Sequence, residues 1–273
     1  MNTDKANIYS MLDFSIIIPA YNEANIINDS LTQVINFMSD YNPHFEVIVV
    51  DDGSLDKTVE LVESYAGYHS EVRVIKNNHF GKAQALISGF KAAQGRYVLM
   101  ADADMATPIS ELKRFMLWIE EYDMDVVYAS REGVGATRHK EPFYRHFVGR
   151  VFNLTYQLII LPGVKDAQCG FKLFKKEVID DIVSHLVVYA HPPKNLNKPF
   201  FGAFDIEILF LARHLGYKSK ELPVEWYYVP TTRFSFISNS YKMLLDVLKI
   251  RFTSLTGKYA VVPKVEEVSA LTD

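Results

Sequence analysis

The chain has 273 residues, a formal net charge of -4, 49% hydrophobic and 23% charged residues. That length supports one large α/β domain or two small ones with a sizeable core, and the composition excludes a disordered chain. The acidic balance excludes a general nucleic-acid binder, so no nucleic-acid partner is expected.

From the N-terminus, residues 1–13 read as a polar tail without the apolar core of a signal peptide. Phe14–Ile18 is a continuous apolar run ending at Pro19, as in a buried parallel strand. Ile27, Leu31, Val34 and Met38 recur at helical spacing. Phe45–Val50 reads as a second buried strand, and Asp56 is placed to cap a helix from Lys57 to about Ala66. A third strand over Val72–Ile75 precedes a helix over Lys82–Gln94, with Gly95 as its stop. Tyr97–Met100 is the fourth strand. Thr107 and Pro108 open a helix running to about Glu121, and Val126–Ser130 is the fifth strand. This alternation predicts a parallel sheet covered on both faces, with ligands beyond the carboxyl ends of its strands.

The second half reads differently. Glu132–Pro142 is a polar loop and Tyr144–Leu161 a helix. Val151–Val164 is too short and too polar, with Asn153, Gln157 and Pro162, to cross a membrane, and predicts a buried helix. Val187–Pro199, rich in proline, predicts a mobile loop. Ala203–His214 reads as a helix stopped by Gly216, Leu222–Tyr228 as a late strand and Tyr241–Phe252 as a final helix. The organisation expected is a single domain over 14–252, with a donor-binding half (14–131), an acceptor-side half (132–252) and a tail at 253–273. The lone Cys169 precludes an internal disulfide and fits a reducing, cytoplasmic location.

Four clusters follow predicted strands. Asp102-Ala103-Asp104 follows the fourth, and two carboxylates at i and i+2 can share one hard cation, Mg²⁺ or Mn²⁺. The alternative is a solvated acidic turn. Val50-Asp51-Asp52-Gly53-Ser54 follows the second strand, where acids can accept from a ribose or a base edge. The alternative is turn formation and helix capping. Pro19-Ala20-Tyr21-Asn22-Glu23 follows the first strand and offers an aromatic face and an acceptor. Gly81-Lys82 opens the third helix, where a lysine can meet a phosphate. No Gly-x-Gly-x-x-Gly follows the first strand, which disfavours a dinucleotide-dependent oxidoreductase.

In combination, the segments Ile18–Glu23, Val50–Ser54 and Asp102–Asp104 resemble the family 2 inverting glycosyltransferases of the GT-A fold. The segment Asp166-Ala167-Gln168-Cys169-Gly170-Phe171-Lys172 is similar to the Thr-Gln-Cys-Gly-Phe-Lys segment of the dolichyl-phosphate β-glucosyltransferases within them. Phe204–Glu207 and Glu221–Trp226 resemble later segments of that group. The resemblance spans about Phe14 to Phe252 and implies a mostly parallel, Rossmann-like sheet with an acceptor-side extension. It implies that Asp102 and Asp104 carry the metal, and with Ala103 the donor diphosphate. Pro19, Tyr21, Glu23, Val50 and Asp52 would line the nucleotide pocket, and Arg131 and Arg233 would face phosphates. The chain departs from the family at Ala83, where Gly-Lys-Gly is usual, and it shows neither the N-terminal anchor nor the C-terminal spans of its relatives.

The function so implied is transfer of glucose from UDP-glucose to a polyprenyl (dolichyl) phosphate. The rival readings are a GDP-mannose-dependent mannosyltransferase, a family 2 transferase to a glycan acceptor, and a non-catalytic nucleotide-sugar-binding protein. A hydroxyl acceptor would need a general base, for which Asp205 is the candidate; its competing role is to cap the helix it opens. The final helix, with Met243, Leu244, Leu245, Val247, Leu248, Ile250 and Phe252 among Lys242, Lys249 and Arg251, either lies on a membrane surface or packs on the core. Phe234-Ser235-Phe236 is a second candidate for lipid contact, and the enzyme would be peripheral on the cytosolic face.

Overall fold

In the computed structural model, residues 12–192, 202–229 and 236–259 are described. Arg233 and the Phe234-Ser235 pair lie outside them. The strands are β1 (Phe14–Ala20), β2 (Phe45–Asp51), β3 (Val72–Lys76), β4 (Tyr97–Met100), β5 (Val126–Ser130), β6 (Thr137–His139), β7 (Lys172–Lys175), β8 (Ser219–Pro223) and β9 (Glu225–Tyr227). The helices are α1 (Ile27–Tyr41), α2 (Thr58–Ala66), α3 (Lys82–Ala92), α4 (Leu112–Glu120), α5 (Phe143–Ile159), α6 (Lys176–Ser184), α7 (Phe204–His214) and α8 (Phe236–Leu255).

Among the described residues the main sheet has the order β3-β2-β1-β4-β7-β5-β8. Its pairings are parallel except at β7, which runs antiparallel to both neighbours. β1 and β2 are buried along nearly their whole length, because both sheet faces are covered. Alternate residues face opposite layers. Ile16, Ile18, Val47 and Val49 pack with α1 and α4 through Leu31, Val34 and Phe115. Ile17, Ile48 and Val50 pack with α3, α6 and α7 on the other face. The expected α/β fold with a mostly parallel sheet is the fold observed.

β7 decides how the second half reaches the site. Because it is antiparallel, the residues leading into it arrive at the edge where β4 and β5 end, with Met100 opposite Lys172. No strand or helix was expected over β7 or α6. β7 is only four residues long, and its buried Lys172 hides the apolar pattern.

Several boundaries differ from expectation. Pro108 is extended (ψ 138°), so a 3₁₀ turn at Ile109–Glu111 precedes α4, where the sequence predicted one helix from Thr107. α3 ends at Ala92, and Gly95 does not stop it. Gly95 lies against β1, where a Cβ would come within 2.4 Å of the Phe14 carbonyl carbon. The late strand is divided at Val224 between the main sheet and a second sheet of β6 and β9, and β6 also breaks the predicted polar loop. Val151–Val164 is buried on one side only: α5 ends at Ile159, with Asn153 and Tyr156 buried and Val151, Leu154 and Leu158 exposed. Of the predicted mobile loop, the start is anchored, since the Val187, Val188 and Tyr189 amides donate to the buried Glu207 carboxylate; 193–199 lies outside the described residues.

Of the two roles the sequence left open for α8, packing on the core is the one observed, along one face. Met243, Val247 and Ile250 are buried against the body, while Tyr241, Leu245, Leu248, Phe252 and Leu255 form an exposed apolar stripe at three- and four-residue spacing. No helix of the described residues is long and apolar enough to cross a membrane.

Candidate active site

The carboxyl ends of β1, β2, β4 and β5 converge on one sheet edge, and the sequence clusters lie there. After β4 the chain turns sharply. The Met105 amide donates to the Asp102 carbonyl (3.1 Å) with Met105 at φ +46°, a region a bulky side chain rarely adopts. The Ala106 amide caps the Asp104 carboxylate at 3.0 Å. From below, the Ser30 hydroxyl of α1 donates to the Ala103 carbonyl at 2.5 Å. Asp102 and Asp104 are thereby presented together, while the Ala103 side chain is buried.

The electrostatics of this turn favour a cation. Burial, and then the Asp102 charge, push the Asp104 carboxyl up to about 6. Asp102 is held below the usual carboxylate value: burial opposes this, but the Lys82 ammonium outweighs it. Lys82 Nζ stands 2.5 Å from Asp102 Oδ1. Burial pulls the Lys82 ammonium down, and the charges of Asp102, Asp205 and Asp104 more than offset that. Two carboxylates with an ammonium already seated on one of them fit a hard divalent cation. Among the described residues no three His, Cys, Asp or Glu side chains gather as a metal site, so the remaining ligands would come from water and substrate.

At β1 and β2 the acids are partly spent on the fold. Asp51 Oδ2 accepts from the Gly53 and Ser54 amides, and its Oδ1 is buried without a hydrogen-bond partner. Asp52 is turned toward the 79–81 segment, accepting from the Phe80 and Gly81 amides and bonding His79 Nδ1 at 2.8 Å. Burial raises the Asp52 carboxyl, and these donors offset only part of the rise. Tyr21 stacks on His79 with ring centroids 4.3 Å apart. His79 Nε2 is buried and unpartnered. The Asn22 amide bonds Ser54 Oγ and the Glu23 amide bonds Thr58 Oγ1, which ties the first cluster to the second. Pro19 lies in β1, half-buried. The Val50 side chain is fully buried in the core on α3, so only its backbone faces the edge.

Arg131 and Asp166, and Lys172 and Asp205, pair with one another. Arg131 at the end of β5 makes a two-pronged bond to Asp166 (2.7 and 2.9 Å) and lies 5.3 Å from the Trp226 ring, so its fork is turned to a carboxylate and not to an open phosphate site. Asp166 is fully buried; burial would raise its carboxyl, but Arg131 outweighs that and holds it down at about 2. Asp205 does not cap α7. No side chain caps that helix, and the Asp205 carboxylate in its first turn pairs with the fully buried Lys172.

Comparisons with known proteins give the family and the fold. Residues 15–183 match the family described as Glycosyl transferase family 2. The chain belongs to glycosyl transferase family 2. It is similar to a dolichyl-phosphate beta-glucosyltransferase of Dictyostelium discoideum, 34% identical and covering 92% of this chain and 76% of that protein. A second relative, the dolichyl-phosphate beta-glucosyltransferase of Saccharomyces cerevisiae, is 30% identical over 90% of this chain and 76% of its own. Among solved structures, mannosyl-3-phosphoglycerate synthase from Rubrobacter xylanophilus superposes with a TM-score of 0.62 at 16% identity, covering 93% and 78% of the two chains. Glucosyl-3-phosphoglycerate synthase from Mycobacterium tuberculosis, in complex with Mn²⁺, UDP-glucose and phosphoglyceric acid, gives 0.58 at 19% identity, covering 88% and 80%. These establish the GT-A fold.

In this family 2 glycosyltransferase, sequence reasoning missed His79 and the pairing roles of Asp166 and Lys172. His79 carries no motif, and only its position before Gly81 and opposite Asp52 gives it a place. Lys172 lay in a segment singled out by resemblance alone, with no chemical role attached.

Proposed function

We propose that the chain transfers glucose from UDP-glucose to a polyprenyl (dolichyl) phosphate with inversion, using Mg²⁺ or Mn²⁺ at Asp102 and Asp104. The observation that carries this is the Asp102–Asp104 turn, two half-buried carboxylates at the end of β4 with a cation seated on one, in a chain whose relatives are named for that transfer. The bound ion would act as a Lewis acid, neutralising charge on the leaving nucleoside diphosphate. Lys82 supplies a second positive charge at the same place. Tyr21, stacked on His79, and the unpartnered Asp51 Oδ1 and His79 Nε2 supply an aromatic plate and two polar atoms suited to a base or ribose.

The state of Asp205 favours a phosphate acceptor. A hydroxyl nucleophile needs a base, and Asp205 is already engaged by the ammonium of Lys172. A phosphate monoester is ionised near neutral pH and attacks without one. Beside the site lies a cavity of about 600 Å³ lined by Phe80, Ala83, Val188, Tyr189, Leu245 and Lys242, whose apolar walls suit the first units of an isoprenoid chain. The exposed stripe of α8, and Val151, Leu154 and Leu158 on the neighbouring α5, would rest on a cytosolic membrane surface, with Lys242, Lys249 and Arg251 toward anionic headgroups.

Calorimetry with UDP-glucose, GDP-mannose and UDP-N-acetylglucosamine, with and without Mn²⁺, followed by transfer to a polyprenyl phosphate in vesicles, tests the reading. Mn²⁺-dependent binding of UDP-glucose and formation of the glucosyl lipid are expected. Tight GDP-mannose binding would replace the sugar, and binding of no donor would overturn the catalytic reading.

A further inference from the structure

The 169–172 segment precedes and opens β7 at the site edge, and the transfer proposed above gives none of its side chains a role. We propose that this segment is the frame that fixes the site's acids: Gly170 seats the Asp102 carboxylate and Lys172 holds Asp205. A Cβ added at Gly170 would fall 2.0 Å from Asp102 Oδ2, 2.3 Å from its Cγ and 2.5 Å from Oδ1. The carboxylate therefore occupies the space that any other residue would fill. Gly170 is not among the glycines with a left-handed backbone, so close approach, not φ, requires it. Asp102 is held between Gly170 on one side and Lys82 Nζ on another.

Two residues on, Lys172 is fully buried and folds back over the same turn. Its Nζ donates to the Cys169 carbonyl at 2.6 Å and to Asp205 Oδ1. The ammonium thus ties the turn beneath Asp102 to the first turn of α7. Thr107 Oγ1, just past the acidic turn, meets Cys169 Sγ at 3.7 Å. Burial pushes the Cys169 thiol up to about 11, so it stays protonated and packs. Gly170 and Lys172 are positioning residues, acting through Asp102 and Asp205.

The frame's bearing on catalysis rests on the proposed metal and donor reading, so the test has a part independent of metal and donor. In metal-free protein, a double-mutant cycle of Gly170→Ala with Asp102→Ala is followed by thermal unfolding. Gly170→Ala should lower Tm by several degrees in the wild-type background and hardly at all once Asp102 is Ala. An equal loss in both backgrounds would assign Gly170 to general packing and overturn the proposal. In the second part, Mn²⁺·UDP binding by calorimetry should weaken roughly 10–100-fold in Gly170→Ala, the scale seen when a metal ligand's support is removed. A Gly170→Ala protein that binds Mn²⁺·UDP like wild type also overturns it. For Lys172, Lys172→Met should lower kcat with the donor KM kept, and that loss should vanish in an Asp205→Asn background; an equal loss there overturns its half. Wild type that binds no Mn²⁺·UDP would sink the functional reading and leave the metal-free cycle to judge the frame.

Discussion

At Asp102 the counter-ion is Lys82, and the two side chains are 38% and 26% exposed; at Asp205 it is Lys172, and the two are 8% and 0% exposed. Both are lysine–aspartate pairs at one sheet edge, but water reaches only the first. A wet pair contributes little to stability and can exchange partners when a metal or a phosphate arrives. A dry pair cannot give up either partner without stranding a charge. The turn after β4 thus carries an exchangeable charge pair and the segment around β7 fixed ones, with Arg131–Asp166 a second fixed pair.

The largest effect that tests this division is on turnover. Asp104→Asn keeps the shape of the turn and removes a metal oxygen, and should lower kcat/KM on the order of 10³-fold, several kcal/mol of transition-state stabilisation. The fold should survive, because relief of the half-buried, charge-crowded carboxylate offsets the change. Steady-state kinetics and thermal unfolding of one preparation give both numbers. Undiminished turnover would remove the acidic turn from the chemistry.

Next comes Lys172→Met, which leaves Asp205 without its partner in a buried place and should cost about 3–5 kcal/mol of stability. Denaturant unfolding measures it, and a cost under about 1 kcal/mol would show that the pair is not fixed. Asp166 makes the same point through pH. Its carboxyl lies at about 2, below the ordinary 3.8. Its stabilising share is therefore complete above pH 4 and is lost as pH falls from about 4 to about 2, about 2 kcal/mol in all. Asp166→Asn should flatten that part of the acid limb relative to wild type, and an unchanged limb would contradict the assignment.

The same division explains what the sequence made legible. The exchangeable pair sits in a short motif directly after β4, so Asp102 and Asp104 could be named from spacing alone, and Tyr21 and Asp52 from their places after β1 and β2. The parallel half of the sheet was legible for the same reason, since β1 and β2 are uninterrupted apolar runs. Fixed groups are defined by partners far along the chain: Arg131 by Asp166 and Lys172 by Asp205, 35 and 33 residues away. Their pairing depends on β7 being antiparallel, and a four-residue strand with a buried lysine carries no periodic signal. α8 was ambiguous because it is apolar on two faces, and only packing shows which is covered.

A smaller effect concerns how the acidic turn is braced. Ser30 lies under it as a neutral counterpart to Lys172, its buried hydroxyl on the Ala103 carbonyl. Ser30→Ala strands that carbonyl and should cost about 1–3 kcal/mol, less than the loss of the charged brace. A cost equal to that of Lys172→Met would mean both sides of the site are fixed alike.

The smallest effect is the one most specific to the comparison. Lys82→Met removes an ammonium from a pair that solvent reaches on both sides, so stability should change by no more than about 1 kcal/mol. Two other readouts should move in opposite directions. With Lys82 gone, Asp102 loses a competitor for cations, so Mn²⁺ should bind more tightly to the donor-free protein. Transfer should nevertheless slow, because the positive charge beside the leaving diphosphate is lost. Mn²⁺ titration, unfolding and donor turnover on this one variant separate the cases. Tighter metal with slower transfer and an unchanged midpoint is the signature of an exchangeable charge. A large drop in stability would make Lys82 a second Lys172, and the acids on both sides of the edge would then be held in the same way.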